Sequence, residues 1–150
     1  MSTSTDAILC YGVEYEEDYE FPWGSDDAED WYYYKILGFN HSVEIYTPEG
    51  GYIGGIRPSD KVINKYYAEY AAFKEKRALP FRVVWHCSAE YPMYILAQPN
   101  SVLTASRGYP VEVDMNVDVS GDVNTRFVAF LQKYNLDIHP CKWIMASYWG

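Results

Sequence analysis

Apolar residues recur along the chain with two periods, and the switches between them mark the elements. Residues 7–13, Ala7-Ile8-Leu9-Cys10-Tyr11-Gly12-Val13, are apolar throughout, as in a strand buried on both faces. Residues 14–23 then read as an acidic, aromatic loop. Ser25 is placed to cap a helix whose first turn carries Asp26, Asp27 and Glu29, and acids there suit the positive end of the helix dipole. Gly38 supplies its stop. Residues 42–46 and 52–56 flank Thr47-Pro48-Glu49-Gly50-Gly51 as the two strands of a hairpin. A second helix is predicted with Ser59 as cap and Asp60 as first residue. Its Ile63, Tyr66, Tyr67, Tyr70 and Phe73 recur at helical spacing, Lys74, Lys76 and Arg77 sit at its negative end, and it ends before Pro80.

Short β-type runs follow at 81–87, 93–97 and 102–106, separated by Pro- and Gly-bearing turns, and they predict a meander. Residues 111–120 alternate apolar and polar without a fault, a pattern that suits a strand and no helix. A third helix beginning near Asp122 carries Val123, Phe127, Phe130, Leu131 and Tyr134 on one stripe. At the end of the chain, Trp143, Met145, Ser147 and Trp149 alternate with Ile144, Ala146 and Tyr148, so both faces of a strand are apolar and it should lie inside the sheet. The expected fold is α+β: a single domain with three helices against a mixed, mostly antiparallel sheet of six to eight strands. A length of 150 residues fits one such domain.

Charge changes this picture most. The chain has 21 acids against 12 bases, a net charge of −9, and aromatic residues make up 18% of it. Direct nucleic-acid binding is disfavoured, because gripping phosphates requires clustered Lys and Arg. An acidic surface suits a basic partner, although the same charge also keeps an aromatic-rich chain in solution. Ten acids and no base lie in the first thirty residues. No run approaches the roughly 18 apolar residues that span a bilayer, and no basic segment precedes Ala7, so a soluble intracellular protein is expected. Cys10, Cys87 and Cys141 form an odd set without CxxC spacing, which fits a reducing compartment and three small buried side chains.

Catalytic chemistry finds little footing. Gly50-Gly51-Tyr52-Ile53-Gly54-Gly55 has neither the GKS/GKT of a phosphate loop nor a GxGxxG spacing. His86 and Cys87 are neighbours on a strand and point to opposite faces, so the imidazole is poorly placed to activate the thiol. A metal site from His86, Cys87, His139 and Cys141 lacks ligand clustering, and neither metal nor cofactor is expected. Binding is the stronger expectation. Glu14, Glu16, Glu17, Asp18, Glu20, Asp26 and Asp27 are interleaved or flanked by Tyr19, Phe21 and Trp23, aromatic types that anchor interfaces. On the alternating segment, Glu112, Asp114 and Asp118 would share one face at roughly 6.6 Å per two-residue step, close to the spacing of backbone phosphates, although a solvated sheet face is the simpler explanation of them. A pocket around His86, Arg82 and Arg107 is the alternative site, and would suit a small enzyme or a nucleotide-ligand sponge.

Several segments also resemble a group of small acidic proteins encoded by bacteriophages: Asp6-Ala7-Ile8-Leu9-Cys10-Tyr11-Gly12, Glu20-Phe21-Pro22-Trp23, His86-Cys87-Ser88 through Tyr91-Pro92-Met93-Tyr94-Ile95-Leu96-Ala97, Ser106-Arg107-Gly108, and Ala146-Ser147-Tyr148-Trp149-Gly150. The resemblance implies a phage origin and the cytoplasm of an infected bacterium. It carries over no catalytic residue. By analogy with small phage proteins that bind host machinery, it implies an anti-CRISPR or other anti-defence inhibitor acting on a host protein, or else a virion or assembly accessory.

Overall fold

β1 (Thr5–Tyr15) is the strand on which the sheet assembles: it pairs with three other strands, all antiparallel. In this computed structural model, which describes residues 5–149 except 89, 115, 118 and 120, the fold is α+β, with three helices and a five-stranded, mostly antiparallel sheet. The other strands are β2 (Arg82–Ser88), β3 (Pro92–Ala97), β4 (Leu103–Ser106) and β5 (Lys142–Trp149), in the order β3-β2-β5-β1-β4. β3 also pairs with the last residues of β1, from Gly12↔Ala97 to Tyr15↔Tyr94. β2 meets β5 in the parallel sense over only Cys87↔Tyr148 and Ser88↔Trp149. Two compact units result, one from the chain up to Gly24 together with Pro80 onward, the other Ser25–Leu79.

In the first unit, Ile8, Cys10, Val84, Ile95 and Ala97 form the core on one sheet face, with Ile144, Ala146 and Tyr148 of β5 packed against it. Burial pushes the Cys10 thiol up to about 11, so it is a packing group and not a nucleophile. α3 (Gly121–Lys133) adds Phe127 and Leu131, both fully buried, and its Phe130 ring lies 4.8 Å from that of Phe81. In the second unit, Asp27 caps α1 (Ala28–Asp30), accepting hydrogen bonds from the backbone N–H of Glu29 and Asp30, and the chain continues as a π-helix over Trp31–Ile36. Asp27 therefore has the capping role expected of Ser25. Gly38, at φ +68°, ends this helix, with the N–H of Phe39 bonded back to the Tyr33 carbonyl. α2 (Asp60–Lys76) follows Ser59, whose position is that of the cap although its side chain makes no capping bond. No helix among the described residues is long and apolar enough to cross a membrane.

Among the described residues the sheet has five strands, fewer than the six to eight expected, because none of them forms the strands predicted at 42–46, 52–56 and 111–120. Residues 42–56 contribute one isolated bridge, Tyr46↔Tyr52, and the chain then tightens into a 3₁₀ turn (Ile53–Gly55) whose two glycines have positive φ. The described residues of 111–120 lie in no strand. Gly108, at φ +82°, turns the chain away from β4, Pro110 lacks a ladder donor, and the N–H of Asn116 bonds the Asp114 carboxylate, an Asx turn that replaces sheet pairing. Nor do β2, β3 and β4 form a meander, since β4 pairs with β1 and not with β3. β5 does lie within the sheet, between β2 and β1, but only one of its faces is covered: Met145 is 80% exposed and Trp149 61%. β1 likewise leaves Ala7 exposed and Leu9 and Tyr11 half-buried. Cys87 is exposed with φ +73°, against the expectation of a buried thiol, because it sits on the outer side of β2 where that strand reaches its end.

Candidate functional site

The acidic stretch after β1 folds as two consecutive turns. The N–H of Tyr19 bonds the Glu16 carbonyl at 3.1 Å, and that of Gly24 bonds the Phe21 carbonyl at 2.9 Å. Its aromatic rings form a chain of contacts, Tyr15 to Tyr19 at 4.6 Å, Tyr19 to Phe21 at 4.9 Å, Phe21 stacked on Trp23 at 4.6 Å, and Trp23 against Phe81 at 5.7 Å. The rings hold the turns against the sheet, and Glu16, Glu17, Asp18 and Glu20 face solvent. Trp23, 8% exposed and stacked between Phe21 and Phe81, is therefore a core residue and cannot be the solvent-facing anchor its position in the sequence suggests.

Two hydrogen bonds bring a distant segment to this arm. The Tyr15 hydroxyl donates to the Asp137 carbonyl at 2.8 Å, and the Asp137 N–H donates to the Tyr19 hydroxyl at 2.9 Å. Burial, reinforced by Tyr19 and Asp137, pushes the Tyr15 hydroxyl well above the usual tyrosine range, so it keeps its proton and remains a donor. Between the arm and this loop lies a cavity of about 710 Å³, lined by Glu14, Tyr15, Glu16, Asp18, Tyr19, Met93, Asp137, His139, Pro140 and Lys142. Its volume is that of a small-molecule site.

Strand register explains part of the lining. Glu14 pairs with Ile95, Val84 pairs with Ile95, His86 with Met93, and Gly12 with Lys142. Alternation along each strand then puts Glu14, His86, Met93 and Lys142 on the face that carries Cys10, Val84, Ile95 and Ala97. The inner face is thus apolar at its centre and polar at one end, where the cavity lies. His86 is buried next to Met93 without lining the cavity, and its Nε2 has no hydrogen-bond partner among the described residues.

The other predicted site residues are dispersed. Asp26 forms an ion pair with Lys35 and Asp27 caps α1, so both serve the second unit. Glu112 and Asp114 are exposed on an irregular segment, and Asp118 lies outside the described residues. Arg82 stands at the start of β2, about 13 Å along the strand from His86 at four residues' rise, while Arg107 lines a separate recess with Asp6 and Tyr109. Among the described residues no three His, Cys, Asp or Glu side chains come together to hold a metal. Asp137, Pro140 and Lys142 had no place in the site expected from the sequence, and His139 figured there only as a metal candidate; Asp137 reaches the arm through hydrogen bonds spanning 118 and 122 positions, Lys142 through its pairing with Gly12, and His139 through its ring contact with Tyr15. No protein-family model matches the chain, and no curated protein or solved structure matches it.

Burial lowers the pKa of His86 below its ordinary 6.5, with Glu14 opposing, and lowers that of His41 in the second unit, which is stacked on Tyr66 at 3.4 Å and bonded to the Tyr34 hydroxyl at 2.8 Å. The folded state binds these protons less readily than the unfolded chain, so the stability they confer is complete above about pH 6.5 and is lost as the pH falls below it toward the folded values. The melting temperature should hold steady above neutrality and fall on acidification from about pH 6.5 to 5. Constant melting across that interval would contradict the burial of the two imidazoles.

Proposed function

We propose that the chain acts by binding rather than by catalysis, covering the basic nucleic-acid-binding surface of a host protein, such as a CRISPR or other defence effector, in the cytoplasm of a bacterium infected by a phage that encodes it. The observation that carries this reading is where the charges go unpaired. The ion pairs among the described residues, Lys35–Asp26, Arg57–Asp60, Lys65–Glu69 and Lys74–Glu29, all lie within Ser25–Leu79. Glu14, Glu16, Glu17, Asp18 and Glu20 take part in none of them and crowd together, exposed, at the end of β1 and in the turns that follow it. Unpaired acids held on a rigid arm give a field that steers and orients a basic partner without first breaking internal pairs. A nucleotide fits the cavity poorly, since its phosphates would face Glu14, Glu16, Asp18 and Asp137 with Lys142 as the single lysine in the wall.

The experiment is capture from a bacterial lysate with the wild-type chain and with a variant carrying Glu16→Lys, Glu17→Lys and Asp18→Lys. The wild type should retain a basic, nucleic-acid-binding protein that added nucleic acid displaces. The variant should melt within a degree or two of the wild type, as exposed turn positions contribute little to stability, and should lose that protein. Equal retention by both chains, or retention that nucleic acid does not compete, would overturn the reading.

A further inference from the structure

Along the first half of β1, the sheet face turned away from Cys10 and Ile144 is uncharged and stepped. Leu9 pairs with Met145 on one side and Leu103 on the other, and Ala7 with Ser147 and Ala105, so two rows of three residues cross β5, β1 and β4. Residues directly opposite on antiparallel strands share a face, so each row stands on one surface. The first row is bulky, and its Met145 is 80% exposed. The second is small, and its three residues line a recess of about 460 Å³. Met145 and Ser147 are two positions apart on β5, so knob and recess stand about 6.6 Å apart on the same surface. We propose that this face binds the same face of a second copy of the chain, each copy placing its Met145 in the other's recess.

A knob beside a recess is self-complementary under a two-fold axis. An axis passing between Met145 and Ser147 seats both knobs at once, so the pair closes and no third copy can add. The recess has the volume of a small-molecule site, ample for one thioether side chain, and methionine adapts its shape to such a hole. Charge permits the contact: in a chain of net charge −9 neither row holds a charged residue, and the recess adds one acid, Asp6, and one base, Arg107. Area sets its strength. Trp143 opposite Tyr11 and Trp149 opposite Thr5 extend the face to four rows. That is about 20 Å along β5 and about 14 Å across three strands, near 300 Å² in projection and more with the side-chain relief. A standard interface takes about 800 Å² from each copy, so this one is weak and transient. The inference goes beyond the acidic arm and does not depend on it, although a pair of chains would present two arms to one partner.

Sedimentation equilibrium of the full chain is the test. It should show monomer and dimer with a midpoint of about 100 µM and no larger species. Met145→Ala removes the knob and Ala7→Met fills the recess; both positions are exposed, so each variant should melt as the wild type does when dilute, and each should weaken the dimer at least about tenfold. A one-to-one mixture of the two variants should dimerise better than either alone, because one knob then meets an open recess while the filled recess faces the missing knob. Added salt screens the repulsion between two copies at −9, so it should tighten the dimer or leave it unchanged, the reverse of its effect on a basic partner held by the arm. The chain carrying Glu16→Lys, Glu17→Lys and Asp18→Lys should dimerise at least as well as the wild type, which keeps the two surfaces distinguishable. The inference is overturned by a chain that stays monomeric to about 500 µM. Open-ended association, variants that dimerise as the wild type does, a mixture no better than its components, or a dimer that salt disperses would overturn it equally.

Discussion

Gly12→Ala is expected to destabilise the chain by about 3 kcal/mol or more, a large part of the stability of a domain this size. Gly12 sits where β1 leaves β5 for β3, paired with Lys142 on one side and Ala97 on the other. A methyl group there would lie 2.7 Å from the Cα of Ala97 and nearer still to the Leu96 carbonyl oxygen. Both obstacles are backbone, so relief requires the strands to separate and the ladder to loosen. Gly51→Ala is the control, since its φ is not positive and the nearest atom, the Thr47 Oγ1, is 3.8 Å away; its effect should stay within about 0.5 kcal/mol. Urea unfolding of both variants decides the matter, and a Gly12→Ala chain as stable as the control would show that β1 and β3 do not approach this closely.

Trp23→Ala should cost about 3 to 5 kcal/mol, the range for a large aromatic removed from a core. The indole is 8% exposed, parallel to Phe21 within 8° and to Phe81 within 19°. Its loss would free the arm from the sheet, so any weakening of partner binding in this variant would come through disorder of the acidic turns. Unfolding by denaturant and by heat should agree on the loss. A cost below about 1 kcal/mol would mean that the tryptophan is available to a partner after all.

That reversal for Trp23 shows what the sequence could and could not reveal. The helical stripes of α2 and α3 and the strands β1 to β5 were legible, because each follows from a pattern that the chain states locally. Even there, helical spacing in α2 did not distinguish half-buried Tyr66 and Tyr70 from Tyr67, which is 51% exposed. The alternation over 111–120 was the strongest strand signal in the sequence, yet a strand also needs a partner edge, and the turn at Gly108 leads the chain away from the nearest one. Aromatics among acids look the same whether they face a partner or their own sheet, and only the Phe81 contact decides the case for Trp23. At the site, the acids of the arm were legible from composition. The opposing wall was not: Asp137 arrives through bonds to Tyr15 and Tyr19, and Lys142 through β1–β5 register, neither of which has a local signature.

The most direct measurement of the central claim, that unpaired acids on the arm recruit a basic partner, is the association rate with the captured protein as a function of salt. The Debye length contracts from about 10 Å at 0.1 M to about 3 Å at 1 M, so steering by exposed carboxylates should be nearly extinguished over that range. The wild-type on-rate should fall steeply with added salt, and the Glu16→Lys, Glu17→Lys, Asp18→Lys chain should start slow and show little or inverted dependence, with off-rates changing much less. An on-rate that is the same for both chains and indifferent to salt would contradict the account.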